Sequence, residues 1–202
     1  MLWLFLKGMG FGLAVAAPVG PMCVLCMRQT LGRGAPMGLA IGFGIACGDG
    51  IYALVAAFGF ASLSHVLLAH MALLNLVAGL FLLWFGVRTA RRPAAAAAAS
   101  PTLASLPRAA FGALLLTLAN PPTILTFLAL FTALAPAGGL GTGAAALTAG
   151  GVFAGSTLWW GGLVAAVAGA RHLLSERLRR GIDVVSGVAL AAFGAILLAR
   201  LW

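Results

Sequence analysis

The stretch Leu2–Met27, LWLFLKGMGFGLAVAAPVGPMCVLCM, carries one charge, Lys7, and two prolines, Pro18 and Pro21. It is long enough to cross a bilayer, which takes roughly 20 apolar residues, but its prolines fall inside the run. Each removes a backbone donor and collides with the preceding turn. In hydrocarbon the freed carbonyls need partners, so such a break survives only against protein or a watery cavity. The segment therefore predicts a broken membrane helix. Met1–Ala17 alone would pass for a signal peptide, but Lys7 interrupts its apolar run and no charge precedes it, so a retained first helix is expected.

Outward from this stretch the pattern repeats. Further apolar runs lie near Ala35–Leu63, Val66–Val87, Ala109–Leu134, Gly143–Ala170 and Ile182–Leu201. The whole chain of 202 residues is 63% hydrophobic and 7% charged, with a mean hydropathy of +1.13. A soluble domain has about 45–50% apolar and about 25% charged residues. These values exclude a soluble enzyme, a disulfide-stapled secreted scaffold and a disordered chain. They predict an all-α protein of six transmembrane helices.

Twelve Lys and Arg face three Asp and Glu, a net charge of +9. The arginines lie between apolar runs and form no single basic face, so nucleic acid is not the expected partner. Arg28 and Arg33 follow the first run. Arg88, Arg91, Arg92 and Arg108 lie between the third and fourth, and Arg171, Arg177, Arg179 and Arg180 between the fifth and sixth. Lys7 and Arg200 fall on the other side. The positive-inside rule then puts both termini outside the cytoplasm of a bacterial inner membrane. The segment 91–107, with its alanine run and Pro93, Pro101 and Pro107, reads as a cytoplasmic linker between three-helix halves, 1–90 and 108–202. Arg171–Arg180 (RHLLSERLRR) reads as an interfacial helix or as a stop-transfer flank.

The two halves correspond. Pro18 and Pro21 interrupt the first span, and Pro121 and Pro122 the fourth. In the span that follows each break stands a small polar cluster, Gly48-Asp49-Gly50 and Gly155-Ser156-Thr157. Repeats of three spans must be inverted relative to each other, and inverted repeats with paired broken helices point to a secondary transporter with a midplane site. Two ordinary proline kinks are the plainer alternative.

Asp49 is the only acid expected inside a span, and an intramembrane carboxylate is costly enough that its default role is functional. It can hold a substrate ammonium or gain and lose a proton during transport; the alternative is an Asp tied structurally to backbone or to Tyr52. Helices restarting after Pro21 and Pro122 present free N–H groups and the positive end of a half-helix dipole. A substrate carboxylate between them, with its ammonium toward Asp49, would suit an amino acid. The candidate substrate and ion site is thus Asp49 with Pro18, Gly20 and Pro21 from the first break, Asn120 and Pro121 from the second, and Ser156. Thr117 and Thr123 are secondary candidates, although membrane Ser and Thr often bond their own backbone. Trp159 and Trp160 read as packing residues. The small-xxx-small pairs Gly8/Gly12, Gly44/Gly48 and Gly151/Gly155 allow close helix approach and would permit a homodimer.

The run Ala17-Pro-Val-Gly-Pro-Met-Cys-Val-Leu-Cys-Met-Arg-Gln-Thr-Leu-Gly-Arg-Gly34, followed by Gly38, Gly42 and Gly48-Asp49-Gly-Ile-Tyr52, resembles the first-helix signature of the LysE-type translocator superfamily. Asn120-Pro121 is similar to that family's Asn-Pro motif in the fourth helix. Where the family often has Asn after the first-helix proline this chain has Met22, and where Lys often follows Asn-Pro it has Pro122. The resemblance implies a small six-helix exporter of amino acids or related metabolites, driven by an ion gradient, with a proton as the expected counter-ion and no cofactor.

Two other readings remain. Cys23-Val-Leu-Cys26 is a CxxC, which suggests a membrane thiol–disulfide relay of the DsbD/CcdA type. Such relays need reactive cysteines in both halves, and residues 48–202 contain none. A divalent-metal exporter would need several carboxylate or imidazole ligands, and His65, His70 and His172 all fall in expected loops. No phosphate-cradling loop, acid pair or His-based triad suggests an enzyme.

Overall fold

The first apolar run divides at its prolines. Helix α1 (Leu2–Ala16) ends just before Pro18, α2 (Pro21–Arg33) begins at Pro21, and the two meet at 81°. Gly20 takes an extended backbone before Pro21, which occupies the first helical position, where its missing N–H is harmless. Gly34 closes α2 at φ 92°, a conformation that favours glycine, and its N–H reaches the Thr30 carbonyl at 2.8 Å. Helix α3 (Ala35–Ala57) follows at once. The computed structural model describes residues 1–18, 20–57, 70–91, 102, 104–120, 123–124, 126–127, 141–170 and 176–199. The remaining helices are α4 (Met71–Ala90), α5 (Ser105–Leu118), α6 (Thr142–Ala170) and α7 (Glu176–Ala199). Among the described residues there is no strand.

Helix α3, helix α6 and Arg180–Ala199 of α7 are each long and apolar enough to cross a membrane, and α1 and α2 together pass the same test as a pair bent at the prolines. Large apolar side chains stay exposed around the outside, among them Phe43 on α3, Val77 and Leu80 on α4, and Val185 on α7. Water would penalise such a surface; lipid is its natural solvent.

Several boundaries differ from expectation. The described helix of the third run begins at Met71, and residues 58–69, with His65 and the expected start at Val66, lie outside those described. Pro107 sits in the first turn of α5 instead of the linker, because a proline there leaves no donor unsatisfied. Of the expected interfacial stretch, residues 171–175 are outside the description. Its remainder is continuous with α7, so the basic turn Glu176–Arg180 prolongs the last helix.

Packing follows the glycines. Helix α1 packs on α6, α5 and α6 both pack on α3, α4 packs on α7, and α2 lies against α3, α6 and α7. At Gly8 and Gly12 of α1, an added Cβ would strike the Thr148 and Val152 carbonyls of α6; at Gly151 and Gly155, it would strike Phe5 and Met9 of α1. Gly44 meets the Ala110 backbone of α5, and Gly79 and Gly86 of α4 meet Gly194 and Gly187 of α7. The small-residue pairs that would permit a homodimer are therefore occupied within one chain.

The break in the fourth run is repaired by one local backbone donor and one side chain from α3. Pro121 and Pro122 lie outside the described residues, but neither has an N–H to give the Thr117 and Leu118 carbonyls. Asn120 N–H serves the Thr117 carbonyl at 3.1 Å, and Tyr52 Oη–H of α3 donates to the Leu118 carbonyl. Stacking on Phe127, with ring centroids 5.5 Å apart, holds the Tyr52 ring in place. Tyr52→Phe leaves that part-buried carbonyl without this donor, at a cost of about 1–3 kcal/mol. Thermal unfolding in detergent should show a lower melting temperature for this variant; an unchanged one would mean that Leu118 needs no outside donor.

Candidate functional site

The two breaks face one cavity of about 110 Å³. Pro18, Gly20, Pro21, Met22 and Cys23 line it from the α1–α2 break, Ile45 and Asp49 from α3, Asn120, Thr123 and Thr126 from the fourth span, and Trp160 from α6. An apolar cavity of about 150 Å³ holds one benzene and a water needs about 30 Å³, so the space suits a small ligand or a few waters. Of the sequence-derived candidates, Pro18, Gly20, Pro21, Asp49, Asn120 and the secondary candidate Thr123 meet here. Pro121 lies outside the described residues.

Asp49 is 2% exposed, held within α3 between Gly48 and Gly50. Gly48 lets α3 settle against the Thr117 side chain, and Gly50 approaches Phe153. Ser156 is not on the cavity wall. It stands behind Asp49, fully buried, and its Oγ–H donates to Asp49 Oδ2 at 2.6 Å. The partner of Asp49 is Ser156 and not Tyr52, whose hydroxyl is directed to the Leu118 carbonyl.

Asn120 holds the turn of the second break. Its Nδ2 donates to Thr123 Oγ1 at 2.8 Å, and its carbonyl accepts from Ile124 N–H at 3.1 Å, restarting the helix. Across the cavity α2 opens at Pro21, so the N–H groups of Met22 and Cys23 have no acceptor within their own helix. The site thus pairs one carboxylate with the positive end of a helix. Thr117 does not contribute: its Oγ1 bonds back to the Ala113 carbonyl at 2.9 Å, and it is absent from the wall. Thr157 is exposed and likewise bonds back, to Phe153.

Trp160, expected to be a packing residue, is part of the wall. It is 4% exposed, its Cβ packs on Gly42, and its indole N–H is buried with no acceptor. A usable signal was its spacing, one helical turn beyond Ser156 on the same face of α6.

Cys23 lines the cavity, whereas Cys26 is fully buried and its thiol points to the Gly38 carbonyl at 3.6 Å; both are free thiols. Among the described residues no three His, Cys, Asp or Glu side chains gather as metal ligands.

The family described as LysE type translocator matches residues 13–200. The chain is 27% identical over 197 residues, 95% of its length, to the Bacillus subtilis (strain 168) protein named "Putative amino acid efflux protein YcgF", of which it covers 93%. It is 27% identical over 121 residues to the "Uncharacterized membrane protein YahN" of Escherichia coli (strain K12), covering 56% of this chain and 52% of that protein. No solved structure matches the chain.

Proposed function

From the premise that the chain belongs to the LysE type translocator family and is a membrane transporter, we propose that it exports amino acids or small related metabolites in exchange for protons, by alternating access. One observation carries this reading: a buried carboxylate on the wall of a cavity where two broken helices meet. The small cavity suits a compact zwitterion. Its carboxylate would lie toward the open start of α2 and the Trp160 indole N–H, and its ammonium toward Asp49. The name of the Bacillus subtilis relative, an amino acid efflux protein, agrees with this class of cargo. With Asp49 the one carboxylate on the described wall, ammonium and proton compete for a single group, which is the simplest basis for exchange.

The architecture that goes with it is six spans in two inverted triplets, 1–90 and 108–202, joined by a linker at 91–107. Two features support the pairing. The first half of each broken span packs on the second helix of the opposite triplet, α1 on α6 and α5 on α3. Gly44, Gly48 and Asp49 also correspond to Gly151, Gly155 and Ser156 at a constant offset of 107 residues, the separation of the hydrogen-bonded Asp49 and Ser156 themselves. Equivalent positions that touch each other lie next to the axis relating the repeats. Arg33, Arg88 and Arg108 gather at one end of the helices, which supports a cytoplasmic assignment for that end of a bacterial inner-membrane protein, with both termini outside.

The test is efflux from proteoliposomes preloaded with a panel of labelled amino acids, with and without a proton gradient. Efflux of one class of small amino acids that the gradient accelerates is the expected result. Absence of efflux for every member of the panel would overturn the amino-acid reading. Efflux indifferent to the gradient would overturn proton exchange.

A further inference from the structure

A second, larger cavity of about 430 Å³ lies between α2, α3, α4 and α5, outside the site described above. Four arginines line it, Arg28, Arg33, Arg88 and Arg108, and the described residues around it include no Asp or Glu. Arg28 is buried at the base, its guanidinium over the Phe85 ring at 5.1 Å from the centroid. Arg88 lies over Trp84 at 5.3 Å. Its apolar floor is buried (Leu25 of α2, Met37 and Ile41 of α3, Ala113 and Leu116 of α5), whereas Phe81, Trp84 and Arg88 of α4 and Arg108 and Gly112 of α5 are exposed. The cavity therefore opens sideways between α4 and α5. Beside that opening Phe111 and Leu115 of α5 are 60% and 50% exposed, and Trp84 of α4 is 55% exposed.

We infer that this cavity binds the phosphate-bearing headgroup of an anionic phospholipid at the cytoplasmic face of the membrane. Guanidinium groups match a phosphate by paired, charge-assisted hydrogen bonds, and basic pockets between helices on that face are fit for acidic headgroups. The size is that of a site for a ligand of several hundred daltons, about 300–1,000 Å³. The lateral opening onto exposed aromatic and aliphatic side chains lets acyl chains run along α4 and α5 while the phosphate stays among the arginines. A zwitterionic amino acid fits this chemistry poorly, since no carboxylate in the described lining is available for its ammonium. The inference rests on the orientation proposed above for this end of the helices, and not on amino-acid export.

The test is lipid binding by the purified, delipidated protein, followed by native mass spectrometry and thermal unfolding. Phosphatidylglycerol is expected to stay bound and raise the melting temperature, and phosphatidylcholine to do neither. Arg33→Gln/Arg108→Gln should weaken phosphatidylglycerol binding at least tenfold, with the Lys pair at the same positions retaining most of it. Arg108→Gln alone, at an exposed position in the first turns of α5, keeps the test valid if the pair unfolds. Arg91→Glu, an equal change of charge outside the described lining, should leave binding intact. Equal binding of both lipids, or an equal loss in Arg91→Glu, would overturn the inference. So would the same arginine-dependent stabilisation by inorganic phosphate or glutamate alone, which would make this a site for soluble anions.

Discussion

Asp49→Asn is expected to abolish gradient-driven efflux, by about 100-fold or more, without lowering the melting temperature. Asn has the shape of Asp and keeps an oxygen that accepts the Ser156 hydroxyl, so the bond at 2.6 Å between α3 and α6 survives. Only the charge is lost, and a buried charge inside a membrane is a cost to stability that function must justify. If Asp49 carried only packing, efflux and its dependence on the proton gradient would persist in the variant. Ser156→Ala should fall between wild type and Asp49→Asn. A hydrogen bond to a charged group contributes about 1.5–3 kcal/mol, and about 1.4 kcal/mol corresponds to tenfold, so a reduction of roughly 10–100-fold is expected. Efflux rates in proteoliposomes, with melting temperatures measured on the same preparations, separate loss of chemistry from loss of fold.

Gly155→Ala should do the reverse and attack the fold first. An added Cβ would fall on the Met9 carbonyl, with the Met9 carbonyl carbon at 2.8 Å and Leu13 N at 3.0 Å. All three are backbone atoms of α1, which cannot swing aside as a side chain can. The helices must part, and overpacking of this kind costs about 1–3 kcal/mol or more. Parting α1 from α6 also moves the neighbouring Ser156 away from Asp49, so efflux should fall along with the melting temperature. Gly150→Ala, on the same helix with nothing within 4 Å of the new Cβ, is the control. It should be neutral or stabilising by up to about 1 kcal/mol, since alanine is the better helix former. Equal melting temperatures for the two variants would mean that α1 and α6 do not pack through their glycines.

Much of the site was legible because its signals are local and costly. Pro18 and Pro21 had to break a helix, since a proline cannot be accommodated silently within an apolar run. Asp49 stood out because an acid in a span is rare. Trp160 was read as packing because an indole in an apolar helix is ordinary. Its interest lies in an N–H left without an acceptor, a property of its surroundings and not of its residue type. Thr117 and Ser156 look alike in the sequence as small hydroxyl residues within apolar runs. One turns back to its own helix and the other reaches a carboxylate on a different one.

The sequence by itself determined that the chain lives in a bilayer, where its helices break, and which carboxylate stands inside. Composition and proline position act through desolvation and backbone chemistry, which need no knowledge of neighbours. Only the tertiary structure decided that Tyr52 serves the Leu118 carbonyl and not Asp49, and that the glycine faces are used within one chain. It also gathered Arg28, Arg33, Arg88 and Arg108, from three separate helices, around one cavity. Hydrogen bonds and electrostatic clusters depend on distances between residues remote in the chain. Those distances exist only once the helices have packed.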